Sequence, residues 1–293
     1  MKKLANFLIF LPLATQAETF HAPQPIFFEN NTLPKQIEPQ IKTQPKTENL
    51  PAPSFALSDA DSTKTKLDKL INYGVVKQQW HLLKQLLPLY QQQADYDATL
   101  YRYAMGAMLR AEQKYDEAIS LYQQILVEKP ELAYPRFDLG VMLFENKQYR
   151  QAKAELERAK PEISPQMQQL AERYIQAMAE RQSWQPDMEL QYTQTDNVNN
   201  ASSQQDIMLG GLRFKKDADS LPQKAHGFRY GVGLNRELNV GGNHFATFNS
   251  RFSGVHYWDN QDYSEKSLYA SLGYRYRSAL QAVGFSPFFE QNW

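Results

Sequence analysis

The chain has 293 residues, carries 32 basic and 32 acidic side chains, and contains no cysteine. A balanced charge gives no global field for nucleic acid or anionic lipid, and the lack of cysteine excludes disulfides, thiolate metal sites and cysteine nucleophiles together. Beyond the first residues no run reaches the roughly 18 apolar residues of a transmembrane helix, so any membrane contact has to be made by a β-barrel.

At the N-terminus, Lys2 and Lys3 precede an almost wholly apolar stretch from Leu4 to Leu13, and Thr15-Gln16-Ala17 places small residues where a signal peptidase reads. Residues 1–17 are therefore expected to be a secretory signal cleaved after Ala17, too short to cross a bilayer as a helix. No cysteine follows it, so no acyl anchor is expected. Residues 18–61 hold Pro23, Pro25, Pro34, Pro39, Pro45, Pro51 and Pro53 among Gln, Lys and Thr. Each proline removes a donor and biases its neighbour away from helix. With so few large apolar residues the segment reads as a disordered, extended arm.

A helical pattern occupies residues 62–183. Leu67, Leu70 and Ile71 share one face, as do Leu82, Leu83, Leu86 and Leu87, with Pro88 expected to kink or end that second helix. Gly106 and Gly140 are 34 residues apart, as are Tyr115 and Tyr149, Ala118 and Ala152, and Tyr122 and Leu156, and Pro130 closes the first unit. This pattern resembles the tetratricopeptide repeat, a helical hairpin with a period of 34 residues. Small residues at Gly106, Ala118, Gly140 and Ala152 would let paired helices approach closely. Thr63 to Ala94 would form a diverged hairpin in front, and Gln166 to Ala179 a closing helix with a more polar outer face.

From residue 186 the period changes to two. Met188, Leu190 and Tyr192 alternate with polar residues, and so do Phe228, Tyr230, Val232 and Leu234, and Leu268, Ala270, Leu272, Tyr274 and Tyr276. Met208, Leu212 and Phe214 suggest another strand, and Phe245 to Tyr257 a less regular one. A sixth opens at Pro287-Phe288-Phe289-Glu290. Runs of about ten residues with one apolar face and one of Gly, Ser, Asn and Arg have the form of membrane-barrel strands. Tyr257, Trp258, Tyr274 and Tyr276 suit interfacial girdles. A soluble antiparallel sheet, packing its apolar face on a core, shares the same alternation. The expected fold class is thus multidomain: all-α tetratricopeptide-like repeats over residues 62–183, then antiparallel strands of an incomplete transmembrane β-barrel over residues 186–293.

The domain order, together with Leu190-Gln191-Tyr192-Thr193-Gln194-Thr195-Asp196-Asn197-Val198-Asn199-Asn200 at the junction, resembles the surface lipoprotein assembly modulator (Slam) family. The resemblance implies an outer-membrane translocator that delivers specific lipoproteins, transferrin- and haemoglobin-binding ones among them, to the cell surface. It also implies an N-terminal domain in the periplasm, and periplasmic chaperones and barrel-assembly machinery as further partners. Five or six strands cannot close a pore without leaving backbone groups unpaired in lipid, so the chain looks like the front part of such a protein, a truncated or partial copy. The competing expectation is a soluble periplasmic adaptor whose repeats bind an envelope protein.

No catalytic constellation stands out, so no enzyme activity, cofactor, metal or nucleic-acid partner is expected. His21, His81, His226, His244 and His256 lack metal-site spacing, and in the Asp196 turn Val198 occupies a position where a calcium loop needs oxygen. Binding is the chemistry that remains. By repeat register Tyr103, Arg110, Phe137 and Phe144 are candidates for a concave, peptide-binding face, with packing against neighbouring helices as the alternative role of these aromatics.

Overall fold

The structure, a computed structural model, describes residues 63–293; the expected signal and arm, residues 1–61, lie outside the described residues. Seven α-helices come first: α1 (Thr63–Val76), α2 (Trp80–Gln91), α3 (Ala98–Ala111), α4 (Tyr115–Glu128), α5 (Ala133–Glu145), α6 (Tyr149–Ala159) and α7 (Pro165–Arg181). Pro88 does not stop α2, which runs three residues further to Gln91. Only the i→i−4 bond at that one residue is lost, and the helix ends within a turn. Asp97 caps α3 by accepting from the amides of Thr99 and Leu100, an arrangement whose removal costs about 1 kcal/mol.

Glycines set how closely the hairpins close. A Cβ at Gly106 would lie 2.5 Å from the Tyr122 ring, and one at Gly140 would lie 2.7 Å from Leu156 Cγ. Gly74 stands in the same relation to Leu83, at 2.8 Å, so the front hairpin repeats the device. Ala118 and Ala152 are fully buried beside these contacts. The inter-helix turns repeat as well. Gln78, Gln113 and Lys147 take positive φ of 55°, 62° and 66°. After each, the next amide bonds the carbonyl five residues back, as Lys114 N does to Leu109 O at 2.9 Å. That is the six-to-one closure of a Schellman turn, made here without glycine.

The strands are β1 (Gln185–Thr195), β2 (Asp206–Leu209), β3 (Leu212–Lys215), β4 (Ala225–Gly241), β5 (His244–Tyr257), β6 (Glu265–Arg277), β7 (Ala282–Phe285) and β8 (Phe288–Asn292). The main sheet runs β1-β4-β5-β6-β7, with β8 also on β6, and the paired strands are all antiparallel. The sheet is open: β1 forms one edge. β7 and β8 continue a single register along β6, Tyr274 opposite Phe285 and Ser271 opposite Phe288. Pro287, which has no N–H, lies in the break between them.

One strand differs from the sequence reading. Met208, Leu212 and Phe214 do not join the main sheet; they lie in a separate hairpin of β2 and β3. Gly210 and Gly211, at φ 58° and 84°, make its two-residue turn, where positive φ at both central positions matches the twist of the strands.

The faces of the main sheet are chemically distinct. Met188, Tyr192, Phe228, Val232, Phe252, Leu272 and Tyr274 fall on one face by register and are exposed, Met188 at 84%. The other face carries the glycines and charges. There Arg251 on β5 reaches across β4 to Asp187 and Glu189 on β1, at 2.6 and 2.9 Å. The path is open because Gly231 and Gly233 lie beneath it; a Cβ at Gly233 would fall within 1.9 Å of the Asp187 carboxylate. Further along, Arg275 and Arg277 on β6 pair with Glu237 on β4 at 2.7 and 3.2 Å.

Candidate functional site: the inner repeat face and its seat on the strands

The four residues proposed from sequence divide into two pairs. Tyr103 on α3 donates its hydroxyl to Asp138 on α5 at 2.7 Å. About two turns further along α3, Arg110 holds Glu145 in a two-bond fork, Nε to Oε2 at 2.8 Å and Nη2 to Oε1 at 2.7 Å. These two polar residues are partly exposed, while Phe137 and Phe144 retain only 4% and 6% of their surface. Phe144 packs edge-on to Tyr174 of α7 at 5.0 Å and against Tyr149 of α6 at 5.7 Å. The Arg181 guanidinium lies 4.8 Å above the Phe144 ring and donates to the Tyr149 hydroxyl at 3.2 Å. Phe137 and Phe144 are thus buried, with Phe144 packed against the neighbouring helices, while Tyr103 and Arg110 stay partly exposed with their carboxylate partners.

Burial governs the electrostatics of this face. It pushes the Asp138 carboxyl above its ordinary value, against the Tyr103 hydrogen bond and the Arg110 charge that favour the ionised form. The Tyr103 phenol is raised, first by burial and then by the neighbouring Asp138 charge. For Arg110, burial works to lower the pKa, but the hydrogen bonds and charge of Glu145 outweigh it and the guanidinium stays firmly protonated. On this face the Tyr103 hydroxyl and the Arg110 guanidinium are both engaged by carboxylate partners.

Asp138, Glu145, Tyr174 and Arg181 were not singled out from the sequence. A signal for the first two existed. Tyr103 to Asp138 and Arg110 to Glu145 are both separations of 35, one repeat plus one residue, which places each pair side by side on adjacent inner helices.

The same helices are seated on the turns of the strands. Asn146, the C-cap of α5, donates to Asp116 Oδ1 at 3.0 Å and accepts from the Ala279 amide at 3.2 Å. Its carbonyl also accepts from the side chain of Asn243, in the β4–β5 turn. Asn239 of β4 accepts from the Arg150 amide at 3.0 Å. This caps α6 from another element, since its own N-cap Gln148 makes no side-chain bond. Gln182 ties the end of α7 down by accepting from Asn239 N at 2.9 Å and Arg236 Nε at 3.0 Å. Tyr149 meets Phe245 edge-on at 5.7 Å.

At the opposite end of β1 the Asn-rich junction motif acts as a brace. Asn197 exchanges hydrogen bonds with Ala201. Asn199 donates to Leu221 O at 2.8 Å and accepts from Gln223 N at 3.1 Å. The motif thus closes the base of the loop that carries the β2–β3 hairpin.

Tetratricopeptide-type hairpins seated on the turns of an open antiparallel sheet with one bare apolar face define a repeat-plus-barrel-strand protein. Comparison with known proteins gives that class a family. Residues 57–156 match the profile described as surface lipoprotein assembly modifier, N-terminal TPR repeats, and residues 184–293 match the profile described as surface lipoprotein assembly modifier. The chain belongs to the surface lipoprotein assembly modifier family. It is 34% identical to a surface lipoprotein assembly modifier of Pasteurella multocida over 71% of this chain and 40% of the relative. It is 26% identical to surface lipoprotein assembly modifier 1 of Haemophilus influenzae over 98% of this chain and 61% of the relative. A hemophilin secretion modulator of Acinetobacter baumannii is 24% identical over 77% of this chain and 49% of the relative. The chain thus spans about 40 to 61% of the length of these relatives. No solved structure matches it.

Proposed function

We propose that this chain contributes the periplasmic repeats and the opening strands of an outer-membrane protein that brings particular lipoproteins to the bacterial surface. The observation that carries the membrane part is the bare apolar face. In a soluble antiparallel sheet that face packs on a core, but here its large residues stay exposed while ion pairs and glycines line the other side. From Phe228 to Arg236, which stacks on Trp184, β4 rises roughly 26 Å, or about 20 Å once tilted, close to the apolar band of a barrel. Aromatic clusters bracket this band, Trp258 with Phe228 at 5.3 Å at one end and Trp184 with Phe248 at 5.7 Å at the other. They suit the two membrane interfaces.

The names of the relatives supply the cargo class. Lipoproteins, including transferrin- and haemoglobin-binding ones, are the proposed partners, with periplasmic chaperones and the barrel-assembly machinery on the way. The inner repeat face at Tyr103 and Arg110, over Phe137 and Phe144, is the proposed seat for an extended segment of cargo. The deciding experiment deletes the gene and measures antibody labelling of candidate surface lipoproteins on intact cells. Loss of labelling of at least one, restored by the gene, is expected; unchanged labelling of the lipoproteins of the same cell overturns the reading.

A further inference from the structure

The contact between the helices and the strand turns differs in kind from the packing inside either part. Within the repeats, Leu83, Tyr90, Tyr122, Ile125, Met142 and Leu156 are sealed from solvent. Between α5–α7 and the turns run hydrogen bonds of Asn146, Arg150, Gln182, Asn239 and Asn243, with Tyr149 on Phe245 as an aromatic pair, and all of these but Arg150 and Gln182 are buried. Each neutral bond of this kind contributes only about 0.5–1.5 kcal/mol net, so few of them need be lost for the contact to open.

The position of this contact in the chain gives it a controller. Asn146 is bonded at once to α4 through Asp116, to the β6–β7 turn through Ala279 and to the β4–β5 turn through Asn243. The residue before it, Glu145, is the last of α5 and is held in the fork of Arg110. A ligand on the inner face that displaces the Arg110–Glu145 fork therefore acts one residue from the backbone that carries Asn146.

We propose that the α5–α6 turn is a latch: Asn146, with Asn239 capping α6, holds the repeats closed on the strand turns, and loss of the Arg110–Glu145 fork releases them. The inner face and the strand turns are then two sites joined by one element with a closed and an open arrangement. In the proposed delivery role, arrival of a cargo segment would open the way to the polar face of the sheet. That use rests on the delivery reading; the latch itself does not.

Hydrogen exchange on the full chain in detergent micelles tests it, because three amides report the latch directly. These are Arg150 and Asn239, bonded to Asn239 Oδ1 and Gln182 Oε1, and Ala279, bonded to Asn146 Oδ1. Asn146→Ala should speed exchange at Ala279 roughly three- to tenfold, the loss of one such bond. Arg110→Ala and Glu145→Gln should speed all three by a similar factor. The Arg277 amide, held within the strands by Asn243 O at 2.8 Å, should not change. Arg136→Ala removes another ion pair on α5, with Glu155 at 2.8 Å, and should leave the three amides slow. Unchanged exchange in Arg110→Ala and Glu145→Gln overturns the coupling, and unchanged exchange in Asn146→Ala overturns the latch. Neither readout involves surface delivery, so failure of the delivery reading would be seen separately in the labelling of cells.

Discussion

Gly140→Ala puts the closest helix contact of the second matched repeat to a quantitative test. In an exposed helix this change gains about 1 kcal/mol, because alanine loses less backbone freedom. Here the added methyl would sit 2.7 and 2.8 Å from Leu156 Cγ and Cδ2, and 3.3 Å from the Leu156 backbone nitrogen. Leu156 is fully buried and its Cγ lies too near its own backbone to swing aside. The two helices must part, and overpacking of this kind costs about 1–3 kcal/mol, which outweighs the propensity gain in most of that range. We expect Gly140→Ala to lower stability by about 1 kcal/mol, the middle of a net range of about 0–2 kcal/mol. Leu156→Ala alone should cost about 2–5 kcal/mol by leaving a cavity. The double variant should lose less than the sum, since the new methyl enters the space Leu156 vacates. Urea unfolding of the full chain, followed by far-UV circular dichroism, gives all four corners of the cycle. A Gly140→Ala protein more stable than the parent, with no coupling to Leu156, would refute the close approach and the repeat packing built on it.

Two further outcomes follow from the charges and the faces. Burial raises the folded pKa of Asp138, so the folded state binds more protons than the unfolded one between the usual carboxylate range and that raised value, and stability falls as pH rises through this window. Asp138→Asn keeps an acceptor for Tyr103 and removes the titration; its stability relative to the parent should improve from pH 3.5 to pH 7, and a constant difference across that range would contradict the assignment. Val232→Lys places a charge between Met188 and Phe252 on the apolar face and should cost about 2–4 kcal/mol in a bilayer, read as loss of protein from the outer-membrane fraction. Ser253→Lys on the opposite face should be tolerated, and equal tolerance of both would remove the membrane reading.

What the sequence displayed was periodicity. The separations that linked Gly106 to Gly140 and Ala118 to Ala152 report helix pairs in contact, because only small residues fit where Tyr122 and Leu156 press in. Alternation in β4, β5 and β6 appeared because the sheet separates apolar from polar side chains at every second residue. Periodicity cannot show contacts that occur once. Asn146, Asn239 and Asn243 look like ordinary turn residues, and their bonds between the helices and the strand turns join positions 57 to 133 residues apart. Nor can a short apolar stretch reveal whether it pairs with the sheet or with itself. Met208 to Phe214 reads as one strand until Gly210 and Gly211, both at positive φ, fold it back. Tyr103 and Arg110 were chosen through repeat register; their hydrogen-bond partners lie one residue past the repeat length.

The two halves of the chain explain each other through the placement of their polar groups. A barrel strand must end in turns that leave the membrane, and those turns carry amides with no partners inside the sheet. Hairpin repeats end in helix termini with orphan amides and carbonyls of their own. In this chain the two sets are spent on one another: the Asn239 side chain on the first turn of α6, the Asn146 carbonyl on Asn243, the Ala279 amide on Asn146. The side chain at the N-terminus of α6 makes no cap, as at α2, α4, α5 and α7, but α6 receives one from Asn239. The docking rests on the cross-element bonds themselves, independent of the family. It makes the repeats part of the strand ends rather than a tethered neighbour, and it places whatever binds at Arg110 and Glu145 one residue from the contact that holds them there.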